Sequence, residues 1–201
     1  MPLFTLNDLA ARTAAPPVTT SPPTVSTGQE HFVAGAKGDL LRELLPDPAP
    51  DTTYDMVSRG AWHKHQMLGH LLTFSGPAEV WLTSWGISTQ PLQIILDLLR
   101  AQAITRLHFI LDIRVKQQAP QAYQLLLAVH NEARVRVYLT RIHAKVLVIR
   151  SATRTFTVRT SANLTRNPRV ESYCISTHAH IADAWASTLN DIARAASPFT
   201  A

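Results

Sequence analysis

The 201-residue sequence contains a single cysteine, Cys174. One cysteine excludes an intramolecular disulfide. There is also no apolar run of about 18 residues, which excludes a transmembrane helix. Residues 1–8 lack both a basic start and an apolar stretch, so we expect no secretory signal there and a cytoplasmic protein without stable membrane insertion. Hydrophobic residues still make up 46% of the chain, which is enough for the core of a globular domain.

Acidic residues are scarce in one part of the chain. Residues 100–171 hold thirteen Lys or Arg and only three Asp or Glu, a net charge of +10, whereas residues 1–99 carry −4. Of the nineteen basic residues fifteen are arginine, whose forked guanidinium suits phosphate. A solvated basic face is the ordinary explanation of such an excess. Its size nevertheless favours a polyanionic partner, with nucleic acid first and an anionic membrane second.

Proline is unevenly distributed and marks the N-terminal part. Eight of the thirteen prolines fall in the first fifty residues, and we expect residues 1–50 to be largely disordered, with short helical turns near 2–11 and 39–45. Apolar residues at helical spacing then predict a helical lead-in over residues 51–75. A globular domain is predicted over residues 76–201.

The pattern from residue 76 onward alternates between strands and helices. Strands are predicted over 79–84, 105–111, 134–139, 143–149, 155–159 and 170–176, and helices over about 88–102, 120–130 and 178–195. The order β-α-β-α-β-β-β-β-α predicts an α/β fold with a mixed β-sheet flanked by helices. Periodicity alone fits any small α/β domain with this order.

Four polar residues recur at alternate positions near two of these strands. His143 and Lys145 alternate with apolar residues, and Ser161 and Asn163 alternate in the same way about one hairpin later. Alternate residues of a strand face the same side, so the two pairs are expected to converge. Phosphoryl chemistry needs such a set, a nucleophile with positive charge around the phosphoryl oxygens. A solvated edge strand is the plainer explanation, but the apolar run 146–149 predicts burial on both faces.

The spacing His143-x-Lys145 followed by Ser161-x-Asn163 resembles the HxK…SxN signature of the phospholipase D superfamily, over about residues 75–196. The resemblance implies a phospholipase D-like half-domain. Two positions depart from the family pattern. Arg150 stands where an aspartate usually follows the lysine, and a threonine replaces the glycine that usually precedes the serine. That aspartate is generally regarded as structural, so its loss does not remove the chemistry.

The resemblance also implies a role for each motif residue. His143 would attack phosphorus and form a phosphohistidine that water later hydrolyses. Lys145 and Asn163 would hold the non-bridging oxygens, and Ser161 would donate a further hydrogen bond. No metal or other cofactor is implied, because the side chains supply the positive charge.

One acidic residue and several cationic or aromatic side chains complete the predicted site. Glu171 is proposed to orient a histidine through its second ring nitrogen, and a salt bridge to Arg169 or Arg159 is the alternative. Contacts with nucleic acid are expected from a tryptophan that can stack on a base, unless it belongs to the core, and from four arginines: Trp85, Arg141, Arg159, Arg166 and Arg169.

The family's active site uses two histidines, one that attacks and one that protonates the leaving group, but this chain has one H-x-K. The pairs His63-x-His65 and His178-x-His180 lack the other motif residues. A metal site at the first pair is an alternative without nearby Cys or carboxylate ligands. The resemblance therefore implies a homodimer in which a two-fold axis brings His143 of both subunits together, as in small single-motif bacterial endonucleases.

Two functions from different classes are compatible with these features. The first is a metal-independent phosphodiesterase that cleaves DNA or RNA as a homodimer. The second is a phospholipase D-like nucleic-acid-binding module without turnover, which the departures at Arg150 and Thr160 would support. A lipid phosphodiesterase is a third option, and the basic charge around the motif favours nucleic acid over it.

Overall fold

The computed structural model describes residues 29–35, 40–166 and 169–199. The strands in this part of the chain are β1 (Gln29–Gly35), β2 (Thr52–Arg59), β3 (Ala78–Ser84), β4 (Ile104–Asp112), β5 (Val135–Thr140), β6 (Val146–Arg150), β7 (Thr155–Thr160), β8 (Val170–Ser176) and β9 (Ser197–Pro198). The helices are α1 (Leu41–Leu44), α2 (Lys64–Ser75), α3 (Thr89–Arg100), α4 (Val115–Gln118), α5 (Pro120–Val129) and α6 (Ala179–Ala195).

All the described strands belong to one mixed sheet, in the order β1-β2-β8-β7-β6-β3-β4-β5-β9. β3, β4 and β5 run parallel, and their connections carry α3, α4 and α5. β6 pairs antiparallel with β3 and begins the antiparallel run through β7 and β8 to β2. The predicted α/β class, with a mixed sheet flanked by helices, is confirmed.

Helices cover both faces of the central strands. Along β6, Leu147 and Ile149 belong to the larger core, together with buried residues of α2, α3 and α5. Val146 and Val148 face the other side, in the smaller core that α6 closes. Strand residues alternate between faces, so a strand buried on both sides reads as an unbroken apolar run. This burial makes β6 a central strand, as the sequence predicts.

The N-terminal part differs from the expectation. Residues 51–75 are helical only from Lys64, because Thr52–Arg59 form strand β2, whose alternate residues are buried as it pairs antiparallel with β8. β1 lies within the segment expected to be largely disordered and pairs in parallel with β2. β2 gains its order from pairing with a distant strand, which local composition does not reveal. The predicted turn near 2–11 and nearly all of the proline-rich stretch 12–30 lie outside the described residues.

Among the described helices, none is both long enough and apolar enough to cross a membrane.

Candidate active site

The end of β3 holds the loop that carries the first half of the motif. The predicted strand over 143–149 begins only at Val146, and residues 141–145 form a loop. Thr83 Oγ1 donates to the carbonyl of Ala144 at 2.8 Å and accepts from Val146 N at 2.8 Å. A side-chain hydroxyl thus replaces the backbone ladder here, so the loop leaves the sheet while its backbone hydrogen bonds remain satisfied.

His143 and Lys145 lie side by side, although on a loop and not on a strand. Lys145 Nζ is 3.3 Å from His143 Nδ1 and donates to the His143 carbonyl at 2.9 Å. The imidazole is exposed and the lysine is half-buried. Burial lowers the pKa of Lys145, and the nearby charge of Glu171 opposes that effect. The pair therefore presents an exposed imidazole next to an ammonium group.

Asn163 is fixed against the same end of β3. Its Oδ1 accepts from Gly86 N at 3.3 Å and lies 3.5 Å from Ser84 Oγ. The backbone of the next residue is held as well, because Leu164 N donates to Ser84 Oγ at 2.9 Å. Within the described chain no hydrogen bond uses Asn163 Nδ2, so the carboxamide keeps an N–H donor for a ligand.

Ser161 and Glu171 form a polar pair on the other side of Lys145. Ser161 Oγ donates to Glu171 Oε2 and accepts from Ser172 N at 3.0 Å. The backbone joins the two halves directly, since Thr160 N donates to the Lys145 carbonyl at 3.0 Å. In the part of the chain that the structure describes, Glu171 has no ion pair with Arg159 or Arg169, and no contact joins it to His143 of the same chain. Its role toward a histidine stays a prediction.

The two departures from the family pattern each have a local structural explanation. Arg150 Nη2 lies 3.2 Å from Asp183 Oδ1 of α6, so this position still carries an ion pair, with its own charge reversed. Thr160 Oγ1 donates to the Ser172 carbonyl at 2.7 Å and accepts from Ala162 N at 3.0 Å. The backbone at Thr160 has no positive φ, so this turn does not require glycine.

Three residues that support His143 were only partly anticipated. The Trp85 ring meets the His143 ring edge-on, with centroids 5.8 Å apart, and the Arg114 guanidinium lies 4.6 Å from the centre of the Trp85 ring. Buried Asp112 fixes that arginine through Nε at 2.6 Å and Nη2 at 3.1 Å, and these bonds lower the pKa of the carboxyl. Asp112 ends β4, and neighbouring parallel strands end at one sheet edge, which is the signal that would have found it.

Lys64 is the second group that sequence reasoning missed. It begins α2, and its side chain is fully buried. Lys64 Nζ donates to the Thr83 carbonyl at 2.6 Å, directly behind the loop of His143. Burial and the nearby charge of Lys145 lower the pKa of Lys64 to about 7.

The residues expected to contact nucleic acid are spread around this centre. Trp85 is half-buried beside the motif, whereas Trp81 belongs to the core. Arg159 is exposed and contacts Cys174 Sγ at 2.9 Å. Cys174 is half-buried. Arg141 and Arg169 are exposed, and Arg166, three residues after Asn163, lines a cleft.

No metal cluster appears among the residues that the structure describes: nowhere do three His, Cys, Asp or Glu side chains come together as ligands. The pair His63-x-His65 forms a ring stack with centroids 5.6 Å apart. Chemistry without a metal stays a prediction.

Comparison with known proteins gives matches at the level of structure. Neither a family model nor a curated protein sequence matches the chain. The structure is similar to Nuc, a phospholipase D family member from Salmonella typhimurium (TM-score 0.56, 10% identity, 74% of this chain and 99% of that one). It is similar to NucT from Helicobacter pylori (TM-score 0.55, 12% identity, 73% and 99%). A third match is TrmBL2, an archaeal chromatin protein described as showing a novel mode of DNA binding (TM-score 0.52, 11% identity, 79% and 60%).

Proposed function

We propose that this chain, which has the phospholipase D superfamily fold, is a metal-independent phosphodiesterase that cleaves nucleic acid as a homodimer. The observation that carries the proposal is the meeting of both motif halves at the end of β3. Thr83 holds the loop of His143 there, and the Ser84–Gly86 segment holds Asn163. One exposed imidazole, one ammonium and one free carboxamide donor therefore border the same surface, which suits a phosphodiester anion.

The proposed reaction has two displacement steps at phosphorus. His143 Nε2 attacks, a P–N bond forms and the P–O bond to the leaving oxygen breaks, while Lys145 and Asn163 offset the charge on the non-bridging oxygens. Lys145 Nζ lies 3.3 Å from His143 Nδ1 in the free protein. A bound phosphate would draw the ammonium away, because a charge-assisted bond to an anion is stronger than a contact to a neutral ring nitrogen. Water then hydrolyses the phosphohistidine.

The homodimer supplies the proton that the leaving oxygen needs. One chain offers a single H-x-K, so we assign the acid to the partner's His143, which would later activate the attacking water. Glu171 is tied to Ser161 and does not contact His143 of its own chain. We therefore place Glu171 across the two-fold axis from the partner's His143, where its carboxylate would orient that imidazole.

Nucleic acid is the proposed substrate because of the charge around the motif. Residues 100–171 carry +10 and contain the whole H-x-K and S-x-N pattern. A polyanion gains affinity from such a surface through counterion release. The half-buried Trp85 ring beside His143 offers a face for base stacking. The DNA binding described for the structurally similar archaeal chromatin protein agrees with this choice.

The direct test is a cleavage assay on DNA and RNA in the presence of EDTA. Wild type is expected to cleave, and His143→Ala is expected to lose roughly a thousandfold or more in rate because the nucleophile is gone. His180→Ala removes an exposed imidazole of α6 and serves as the matched control, with wild-type activity expected. Undiminished cleavage by His143→Ala would show that the nucleophile is assigned wrongly.

A binding module without turnover is the second candidate, and the reversed charge at Arg150 is the observation in its favour. It predicts salt-sensitive binding of DNA without cleavage, and nearly equal affinities for wild type and His143→Ala. The same samples separate the two candidates, because only the enzyme gives products.

A further inference from the structure

A cleft of about 500 Å³ opens beside the candidate active site, between the first turns of α2 and α3. Its polar lining comes from α2 and the residue before it, from the first turn of α3 and from the segment after the motif: His63, His65, Gln66, His70, Gln90 and Arg166. No Asp or Glu of the described chain lines it. The reaction proposed above uses none of these residues.

One buried side chain in the cleft lacks a partner. His65 is only 6% exposed, and its Nδ1 has no hydrogen-bond partner among the described residues. The ring stacks on His63. Burial, followed by the influence of His63 and Arg166, lowers the pKa of His65 to about 4. A buried polar group without a partner costs free energy, which a ligand that engages the imidazole would recover.

The cation of the cleft is also without a counter-ion. Arg166 is exposed and reaches Gln90 Oε1 at 3.4 Å, and it forms no ion pair within the described chain. A guanidinium has five N–H donors in a planar fork that matches phosphate oxygens. The start of α2 is already capped, because the His63 and Gln66 side chains accept from its backbone N–H groups, so Arg166 is the cation that the cleft offers to an anion.

The cleft is close to the proposed reaction centre. Arg166 follows Asn163 by three residues, so their backbones are at most about 11 Å apart. Lys64 lies between His63 and His65 in sequence. Its amine donates a hydrogen bond to the carbonyl of Thr83, the residue that holds the loop of His143. Along duplex DNA the phosphates of one strand follow each other at about 3.4 Å of helix axis per nucleotide, so a neighbouring phosphate can lie within this distance.

We propose that this cleft binds a flanking phosphate of a nucleic-acid strand whose neighbouring phosphodiester lies at His143, Lys145 and Asn163. Arg166 and Gln90 provide hydrogen-bond donors, and His65 gains the partner that it lacks. The inference rests on the proposed function and narrows it. The substrate is a strand with several phosphates, and a molecule with one phosphodiester leaves the cleft empty.

The test compares two substrates and measures binding separately. The substrates are a short single-stranded oligonucleotide and bis(p-nitrophenyl) phosphate, which has one phosphodiester. Arg166→Gln is expected to raise KM for the oligonucleotide about tenfold, since it removes one charge-assisted phosphate contact. The rate on the small phosphodiester is expected to stay at the wild-type value. Arg100→Gln, at the far end of α3, is the matched control and should affect neither substrate.

Salt-dependent binding of a fluorescent oligonucleotide gives the readout that does not need catalysis. Loss of one contact should reduce the slope of log K against log salt by about 0.7 for a single strand. Gln90→Glu is a second variant. A negative charge in the first turn suits a helix, so it should fold normally and still weaken oligonucleotide binding.

The possible outcomes distinguish a failure of the proposed phosphate cleft from a failure of the proposed enzymatic activity. If wild type hydrolyses neither substrate but Arg166→Gln still lowers the salt slope, the phosphate cleft stands and the enzymatic proposal fails. If Arg166→Gln leaves the slope and the oligonucleotide KM unchanged, or if it slows both substrates equally, the cleft is not a flanking phosphate site.

Discussion

Lys64 is the residue whose position is hardest to explain by stability alone. Its amine is fully buried, with the Thr83 carbonyl at 2.6 Å as its acceptor and Lys145 as a nearby like charge. Desolvation disfavours a buried ammonium, and a second cation adds to the cost. Perturbed groups of this kind cluster at functional sites, where their charge acts on a ligand. We assign Lys64 a positioning role, as a cation directly behind the proposed phosphate.

The pKa of Lys64 leads to a prediction about stability. It is about 7 in the folded protein, against an ordinary value of 10.5, so between these pH values the unfolded chain binds the extra proton. Lys64 therefore makes the free energy of unfolding rise by about 1.4 kcal/mol per pH unit between these two values. The destabilisation caused by burying the Lys64 amine is greatest at and below pH 7. Lys64→Met should be more stable than wild type at pH 7, and this advantage should shrink toward pH 10.

Urea unfolding of both proteins at several pH values between 7 and 10 measures this difference. Lys116→Met, which removes an exposed lysine of α4, is the control and should show no such trend. A stability difference that is independent of pH would mean that the Lys64 amine is not desolvated.

At the scale of elements, the end of β3 decides the geometry of the site. The Thr83 hydroxyl forms hydrogen bonds with the backbone groups on both sides of Lys145, the Ala144 carbonyl and the Val146 N–H. The Ser84–Gly86 segment holds Asn163. Loops placed by a rigid scaffold carry function in many folds, and here a buried central strand provides the scaffold.

Thr83→Val tests that role, because valine has the same shape and lacks the hydroxyl. The buried Val146 N–H then loses its acceptor, so the free energy of unfolding should fall by about 2 kcal/mol. Cleavage should slow as well, since the loop of His143 is no longer tied to the sheet. Thr83→Ser keeps the hydroxyl and should resemble wild type in urea unfolding and in rate. Equal behaviour of the two variants would mean that this hydroxyl does not hold the loop.

Periodicity predicted the elements from β3 to α6 except the four-residue helix α4, because the longer elements each bury a regular apolar face. The strand β6 was found for the same reason, whereas His143 and Lys145 were placed on that strand and lie in the loop before it. β2 was missed, since its order comes from pairing with β8, which is more than a hundred residues distant in sequence. The burial of Lys64 was also not predictable, because helical periodicity places a residue on a face without showing what lies opposite. Asp112 could have been found at the end of a predicted parallel strand, but its contact with Arg114 and the contact of Arg114 with Trp85 were not predictable without the structure.

At the scale of the whole molecule, a single motif and a one-sided charge point to an assembly. The H-x-K loop is exposed, and Glu171 contacts Ser161 but not His143 of its own chain. In the proposed homodimer, a two-fold axis beside this loop would complete a site that needs two imidazoles, and the +10 segments of both copies would border one shared groove.

Mixing wild type with His143→Ala tests whether both subunits contribute to one site. If each site needs the histidines of two chains, every mixed dimer is inactive. Co-refolded equal amounts should then retain about a quarter of the activity of the same total amount of wild type, with random pairing. Independent subunits would instead retain about a half. Light scattering on the same samples gives the mass, and the control mixture with His180→Ala should stay fully active. If the protein is a dimer in solution but the mixture retains about half of the activity, the dimer exists and the leaving-group acid is a group of the same chain.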